Sequence, residues 1–404
     1  MNRIANGRPA IPPQARQPVA DLPASKIREI ANAGFGRTDL LRFWFGESTR
    51  STPEVIKQAA IAGIAADETF YTHNNGREDL REALSAYLAR LHTARFDPGR
   101  VTVTSSGVSA LMIAMQALLS LGDRVVMVTP IWPNVAQIPQ LLGAEVTRIP
   151  VRSEAGGWAL DLDELLAAIT PATRLLVINS PGNPTGWTIS REQQAALLQH
   201  CRRLGVWILA DDVYERLLLG EGAGNAPSFL PIADPHDRLI SSNSFSKAWL
   251  MTGWRLGWLV APPELFTDLG KLIEINTSCA PGFIQSAGIA ALAEGEPHVA
   301  ALKADLTQNR NRLIAGLRAI GGVEAPSPEG GMYAFFRISG HPASVELARR
   351  LVAEAGLGLA PGAAFGPEGE GWLRWCFAAG QGALDEGLAR LARWVSDRQA
   401  EEHS

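Results

Sequence analysis

Between about residue 100 and residue 260 the chain alternates between two hydrophobic rhythms. Short apolar, β-branched runs occur at Val101–Thr104, Arg124–Val128, Glu145–Val151, Leu175–Ile178, Val206–Ala210, Leu239–Ser241 and Leu256–Val260. Helical spacing fills most of the intervals between them. Ser190 with Gln193 carries the capping-box signature of one such helix, and Asp161 with Glu164 a looser version of it. Strands that are apolar on both faces and separated by helices predict an α/β domain with a mainly parallel, seven-stranded sheet. In such a sheet ligands sit beyond the carboxyl ends of the strands. The polar signatures of this chain lie just after the apolar runs.

The flanks follow other patterns. Residues 1–40 read as irregular, with at most one short helix. From Glu78 to His92 the apolar positions Leu80, Leu84, Tyr87, Leu88 and Leu91 keep helical spacing. After Pro297 a long helix (298–320) precedes an apolar run at Met332–Ile338. A helix near Ser344–Ala355, a short strand at Leu373–Phe377 and a final helix follow, as in a smaller α+β domain. The expected division is an arm (1–45) packing with the small domain, a large ligand-binding domain (46–295) and the small domain (296–404).

Composition narrows the function classes. The 404 residues are 46% hydrophobic, enough for a large core. Net charge is −4 and no run of five like charges occurs, so neither a nucleic-acid surface nor an anionic-membrane anchor is indicated. No apolar stretch has the length of a membrane span, and the polar, proline-rich start does not resemble a signal peptide. Cys201, Cys279 and Cys376 are too scattered for a metal pair or a disulfide framework. Buried small hydrophobes in a reducing cytoplasm, with no metal site, are the expectation.

Candidate chemistry clusters after the strands. Lys247 lies in Ser244-Phe245-Ser246-Lys247, with Arg255 eight residues on in Thr252-Gly253-Trp254-Arg255. Lysine forms imines, and burial or nearby cations make it neutral at working pH. Arginine grips phosphate oxygens in pairs, and Ser244 and Ser246 add hydroxyl donors. The set suits an aldehyde cofactor bearing a phosphate, although SxSK alone also describes a surface lysine. Asp211 ends a strand, where its carboxylate can hold a pyridinium nitrogen, and Tyr214 can donate to the phenolic oxygen of the same ring. Asp212 reads as a structural cap. Asn183 sits in Asn179-Ser180-Pro181-Gly182-Asn183-Pro184-Thr185-Gly186, a loop stiff enough to aim it. Ser106, Gly107 and Val108 open a helix whose free N–H groups attract anions, and Trp132 offers a face for stacking. Arg374, inside the apolar run Trp372–Ala378, needs a partner: a substrate carboxylate, or else a buried acid.

These elements in this order resemble class I and II aminotransferases, within the fold-type-I pyridoxal-phosphate superfamily. They look most like its aspartate-aminotransferase-like subgroup, from about Trp44 to Ala378. The resemblance implies pyridoxal 5'-phosphate as cofactor, an amino acid and a 2-oxo acid as substrates, and Lys247 as Schiff-base lysine and proton shuttle. It gives Asp211 the pyridine nitrogen, Asn183 and Tyr214 the phenolic oxygen, and Trp132 the ring face. Ser106, Gly107, Val108, Ser244 and Arg255 hold the phosphate, and Ser246 lies beside them. Arg374 clamps the substrate α-carboxylate, and Gly46 approaches the substrate through its backbone. Tyr71 matches a tyrosine that reaches the neighbouring subunit's phosphate, which implies a homodimer with shared sites. Asp211-Asp212-Val213-Tyr214 replaces the usual DE-x-Y, and Val108 brings only its N–H. No second arginine for a side-chain carboxylate is evident, though Arg77 of a partner subunit is a candidate. Trp44 and Phe45 either line an apolar side-chain pocket or pack in the core or at the subunit interface. A pyridoxal-phosphate lyase or synthase, and a non-catalytic ligand-binding relative, are the competing readings.

Overall fold

The computed structural model describes residues 14–402. The first 13 residues of the expected arm and the last two of the chain lie outside the described residues. Seven strands form the large sheet: β1 (Val101–Thr104), β2 (Arg124–Thr129), β3 (Glu145–Pro150), β4 (Thr173–Asn179), β5 (Trp207–Asp211), β6 (Leu239–Ser244) and β7 (Gly257–Val260). They lie in the order β1-β7-β6-β5-β4-β2-β3, and β7 alone runs antiparallel to its neighbours β1 and β6. Each apolar run of the sequence becomes one of these strands. Alternate residues feed opposite faces, as period-two geometry requires. Val126, Val128, Leu176 and Ile178 enter one core, while Val125, Met127, Leu175 and Val177 enter the other.

Ser190 caps the helix Arg191–Leu204 with both bonds of the capping box, and Asp161 accepts the Glu164 N–H at the next helix upstream. Gly205, at φ +71°, closes the first of these helices in the left-handed conformation that glycine tolerates best.

A third core joins the chain's two ends. Ile27, Ile30, Leu40, Phe43 and Trp44 pack with Tyr333, Phe335, Trp375 and Leu384. Leu41–Arg42 pairs in parallel with Leu357–Gly358, tying the arm to the C-terminal part of the chain. That part is built on an antiparallel sheet of Val323–Glu324, Tyr333–Ile338, Trp372–Cys376 and Ala360–Pro361.

The arm departs from expectation. It contains two helices, Gln17–Ala20 and Lys26–Ala33, rather than at most one. The second is capped by Ser25, whose hydroxyl accepts the Arg28 N–H, and only Ile27 and Ile30 are buried. Two apolar positions are too few to reveal a helix in sequence, and tertiary packing stabilises it. The long helix starts at Glu296, before Pro297, because proline is tolerated in the first turn.

Candidate active site

The carboxyl ends of β4, β5 and β6 open onto one cavity of about 250 Å³. Asn179, Asp211 and Ser242 sit side by side in register there. The Asn179 side chain donates to the Asp211 carbonyl at 3.0 Å and accepts the Asn183 N–H at 2.8 Å. One amide thus pins the loop after β4 to the end of β5 and aims Asn183 into the cavity.

Asp211 is 5% exposed. Its carboxylate accepts only the Val213 N–H, at 3.4 Å, and no ion pair reaches it among the described residues. Burial pushes the carboxyl up to about 7, against the pull of that N–H and of Lys247. Asp212 turns away from the cavity and accepts the Ser241 hydroxyl at 2.7 Å.

Lys247 follows β6 through a turn closed by the Ser246 N–H on the Ser244 hydroxyl, 3.1 Å. Its Nζ donates to the Gly46 carbonyl. Burial lowers the ammonium to about 8, and Arg374 and Arg255 push the same way, while Cys376 and Glu47 oppose.

Arg374 is 2% exposed and has no carboxylate partner among the described residues, so the alternative of a buried ion pair is corrected. It donates to Asn183 Oδ1 at 2.9 Å and to the Trp44 carbonyl at 2.5 Å. Its guanidinium lies 4.4 Å from the Tyr333 ring centre and 4.9 Å from that of Phe365. Its Nε–H finds no acceptor among the described residues. A cation so placed is costly to the fold unless an anion arrives.

The cavity's other end is shaped for an anion. Ser106 adopts φ +142°, a region nearly reserved for glycine, and costs of order 1–3 kcal/mol. The strained turn lets its hydroxyl cap the Ser109 N–H at 3.1 Å and starts the helix Gly107–Leu118 at the cavity wall. Gly257 permits this: a Cβ there would lie 2.7 Å from the Gly107 nitrogen. Arg255 reaches the same region from a left-handed backbone conformation, φ +56°, and bonds only the Thr252 carbonyl.

The cavity wall therefore gathers Gly46, Gly107, Val108, Trp132, Asn183, Asp211, Tyr214, Ser244, Ser246, Lys247, Arg255 and Arg374. Ser106 stands just behind it, its side chain committed to the cap. Tyr71 is 88% exposed, outside its own chain's cavity. For Trp44 the pocket reading is corrected: it is buried in the third core, and only Phe45 lines the cavity. Arg77 is engaged by Glu68 and Asp79 of its own chain. Sequence reasoning missed Tyr333. Its hydroxyl lies 2.8 Å from the Tyr214 hydroxyl, and burial holds both phenols above their usual range, Tyr333 at about 12. The only signal was one hydroxyl in the apolar run after Gly330-Gly331.

The family profile of class I and II aminotransferases matches residues 39–391. The chain is a class I and II aminotransferase. It is 33% identical over 374 residues to an aspartate aminotransferase of Pyrococcus horikoshii, covering 91% of this chain and 94% of the other. It is also 33% identical over 355 residues to an arginine–pyruvate transaminase of Pseudomonas aeruginosa, covering 88% and 89%. Among solved structures, the Thermus thermophilus aspartate aminotransferase with maleate superposes with a TM-score of 0.88 at 30% identity, covering 94% and 99%. The fold is that of fold-type-I aminotransferases, and the aminotransferase depends on pyridoxal phosphate, as its family does. The lyase reading is not favoured.

The residues present fit that cofactor. Asp211 is a buried carboxylate short of a cation, which a protonated ring nitrogen supplies. Arg255 has no acid partner among the described residues, which suits a phosphate. Lys247 is neutral within reach of physiological pH.

Proposed function

We propose that this aminotransferase works through one constellation: Lys247 as anchor and proton shuttle, Asp211 as partner of the ring nitrogen, and Arg374 as clamp on the substrate α-carboxylate. The observation that carries this reading is that a lysine of lowered pKa, a buried carboxylate without a counter-ion and an arginine without an acid open on the same cavity.

Pyridoxal phosphate, when bound, supplies an aldehyde that holds the amino group and a ring that takes up the electron pair of the breaking α C–H bond. Asp211 accepts the ring N–H and keeps that nitrogen positive. Asn183 and Tyr214 orient the phenolic oxygen, with the Tyr333 hydroxyl holding that of Tyr214 in place. Trp132 covers one face of the ring. The amides of Gly107 and Val108, the Ser244 and Ser246 hydroxyls and Arg255 bind the phosphate, with Ser106 shaping their turn. Lys247 Nζ, neutral above about pH 8, takes the proton from the substrate α-carbon and, as ammonium, would deliver it to the former aldehyde carbon of the cofactor, so that the amino group changes hands. The Gly46 carbonyl, which accepts from Nζ, orients that amine.

The working form is a homodimer. Ile61, Ile64, Phe70, Tyr71 and Ile275 are all more than half exposed, an apolar surface that a second copy would cover. Ile275 lies two residues before Thr277, whose hydroxyl meets at 3.4 Å that of Ser105, the neighbour of the Ser106–Gly107 turn. Tyr71 would complete the partner's phosphate site from there. Three unpaired cysteines support a reducing compartment, the cytoplasm.

The decisive experiment is Lys247→Ala. Cofactor should leave on dialysis, and turnover should fall by at least roughly a hundredfold, the scale of a lost general base. Borohydride reduction and peptide mapping of the native protein should label Lys247. A label on another lysine, or a variant that keeps near-native turnover, refutes the assignment.

A further inference from the structure

We infer that this aminotransferase selects amino acids with apolar side chains over those carrying a second carboxylate, through a wall made by Phe45 and Ile27. The inference rests on the reading of Arg374 as the α-carboxylate clamp. It follows from where one short segment runs. The Trp44 carbonyl accepts from Arg374, and the Gly46 carbonyl accepts from Lys247. Phe45 is thus held between the cation that takes the α-carboxylate and the amine that takes the α-proton. A side chain leaving the α-carbon starts out beside this ring.

The segment's placement is fixed from both sides. Trp44 is locked in the third core, and its ring leaves no room for a Cβ at Gly358. Gly46 passes so close to the Tyr333 hydroxyl that any Cβ there would collide with it. Phe45 is left 39% exposed on the cavity wall, which Ile27 of the helix Lys26–Ala33 also lines.

Among the described residues of one chain, the cavity wall offers no spare cation for a second carboxylate. Lys247, Arg255 and Arg374 are the positive side chains of the cavity wall, and each already has a task. In a separate cavity, Lys26 donates to the Ala363 carbonyl at 3.3 Å and Arg148 is paired with Glu368 at 2.7 Å. Arg28 is exposed and outside the cavity wall, 6.0 Å from the Phe45 ring centre. A distal carboxylate against Phe45 and Ile27 would lose water without gaining a partner. An apolar side chain there gains by leaving water.

The test uses the cofactor-loaded protein and three unreactive carboxylates: hydrocinnamate, isocaproate and succinate. Dissociation constants come from the change in visible absorbance on titration. Hydrocinnamate and isocaproate should each bind at least about tenfold more tightly than succinate, a difference of roughly 1.4 kcal/mol. Phe45→Ala, at a half-exposed position, should shrink that ratio at least threefold, by weakening hydrocinnamate and isocaproate and by relieving the penalty on succinate. A native ratio below tenfold overturns the inference, and succinate affinity lost in Arg28→Ala would then name the missing partner. Arg374→Ala tests the underlying reading separately. All three ligands should weaken together, and ligands that bind as well without Arg374 overturn the clamp whatever the native ratio.

Discussion

Asp211 is a burden on the cofactor-free protein and an asset to the loaded one. Its carboxyl is held at about 7 against an ordinary value of 3.8, chiefly by burial. The folded state therefore binds more protons than the unfolded state between those two pH values. Stability referred to this group is full below the unfolded value and is lost as pH rises through about 7. The shift corresponds to a ceiling of about 4 kcal/mol. Asp211→Asn should make the cofactor-free protein more stable at pH 8 than the native chain, and flatten its loss of melting temperature between pH 5 and pH 8. The same change should slow single-turnover chemistry by a hundredfold or more, the usual scale for a lost electrostatic contact at a reacting centre. Melting curves at the two pH values and a stopped-flow half-reaction measure both effects. A variant that is no more stable, or that turns over like the native chain, would place the ring-nitrogen contact elsewhere. Asp211, Asn183 and Lys247 were legible in the sequence because each follows a strand within a short motif. Tyr333 was not, because its contact with Tyr214 spans 119 residues and joins the turn after β5 to a strand of the small sheet. Nor could sequence decide between Trp44 and Phe45. They lie outside any regular element, so no periodicity tells which ring turns inward.

At the scale of elements, the strongest sequence signals were those with a self-contained physical cause. The capping box at Ser190 is one: two backbone donors and two side chains within four residues specify it. Ser190→Ala should lower stability by about 1 kcal/mol and leave the substrate affinity unchanged, since the helix Arg191–Leu204 contributes no residue to the cavity wall. Urea denaturation with a parallel ligand titration reads both quantities, and a loss of affinity would mean that this helix bears on the site. The strand runs were legible for a similar reason, since burial on both faces leaves unbroken apolar stretches. Strand direction was not. The antiparallel course of β7 is set by a tertiary connection, and Gly257 at its start is demanded by the approach of the Ser106–Gly107 turn. The helix Lys26–Ala33 escaped notice because two buried isoleucines make too short a pattern, yet it supplies Ile27 to the cavity wall.

At the scale of the whole molecule, a single chain leaves several large apolar side chains exposed. Ile275 is 82% exposed and Phe70 79%, so a charge at either position costs the isolated chain almost nothing. In the proposed dimer the same charge would be buried at the centre of an interface. Ile275→Asp should therefore weaken self-association by thirtyfold or more, the effect of losing about 2 kcal/mol at an interface anchor. Sedimentation of the native protein should give twice the 43.3 kDa of one chain, and the variant should shift toward a single chain on dilution. Cofactor retention should fall along the same dilution curve, because each phosphate site would lose the partner's Tyr71. Tyr71→Phe separates the two contributions. It should keep the dimer, since the ring remains, and lose only the share of cofactor affinity owed to the hydroxyl. A variant that dissociates while holding cofactor at full strength would show that the site is complete within one chain, and that the exposed position of Tyr71 has another cause.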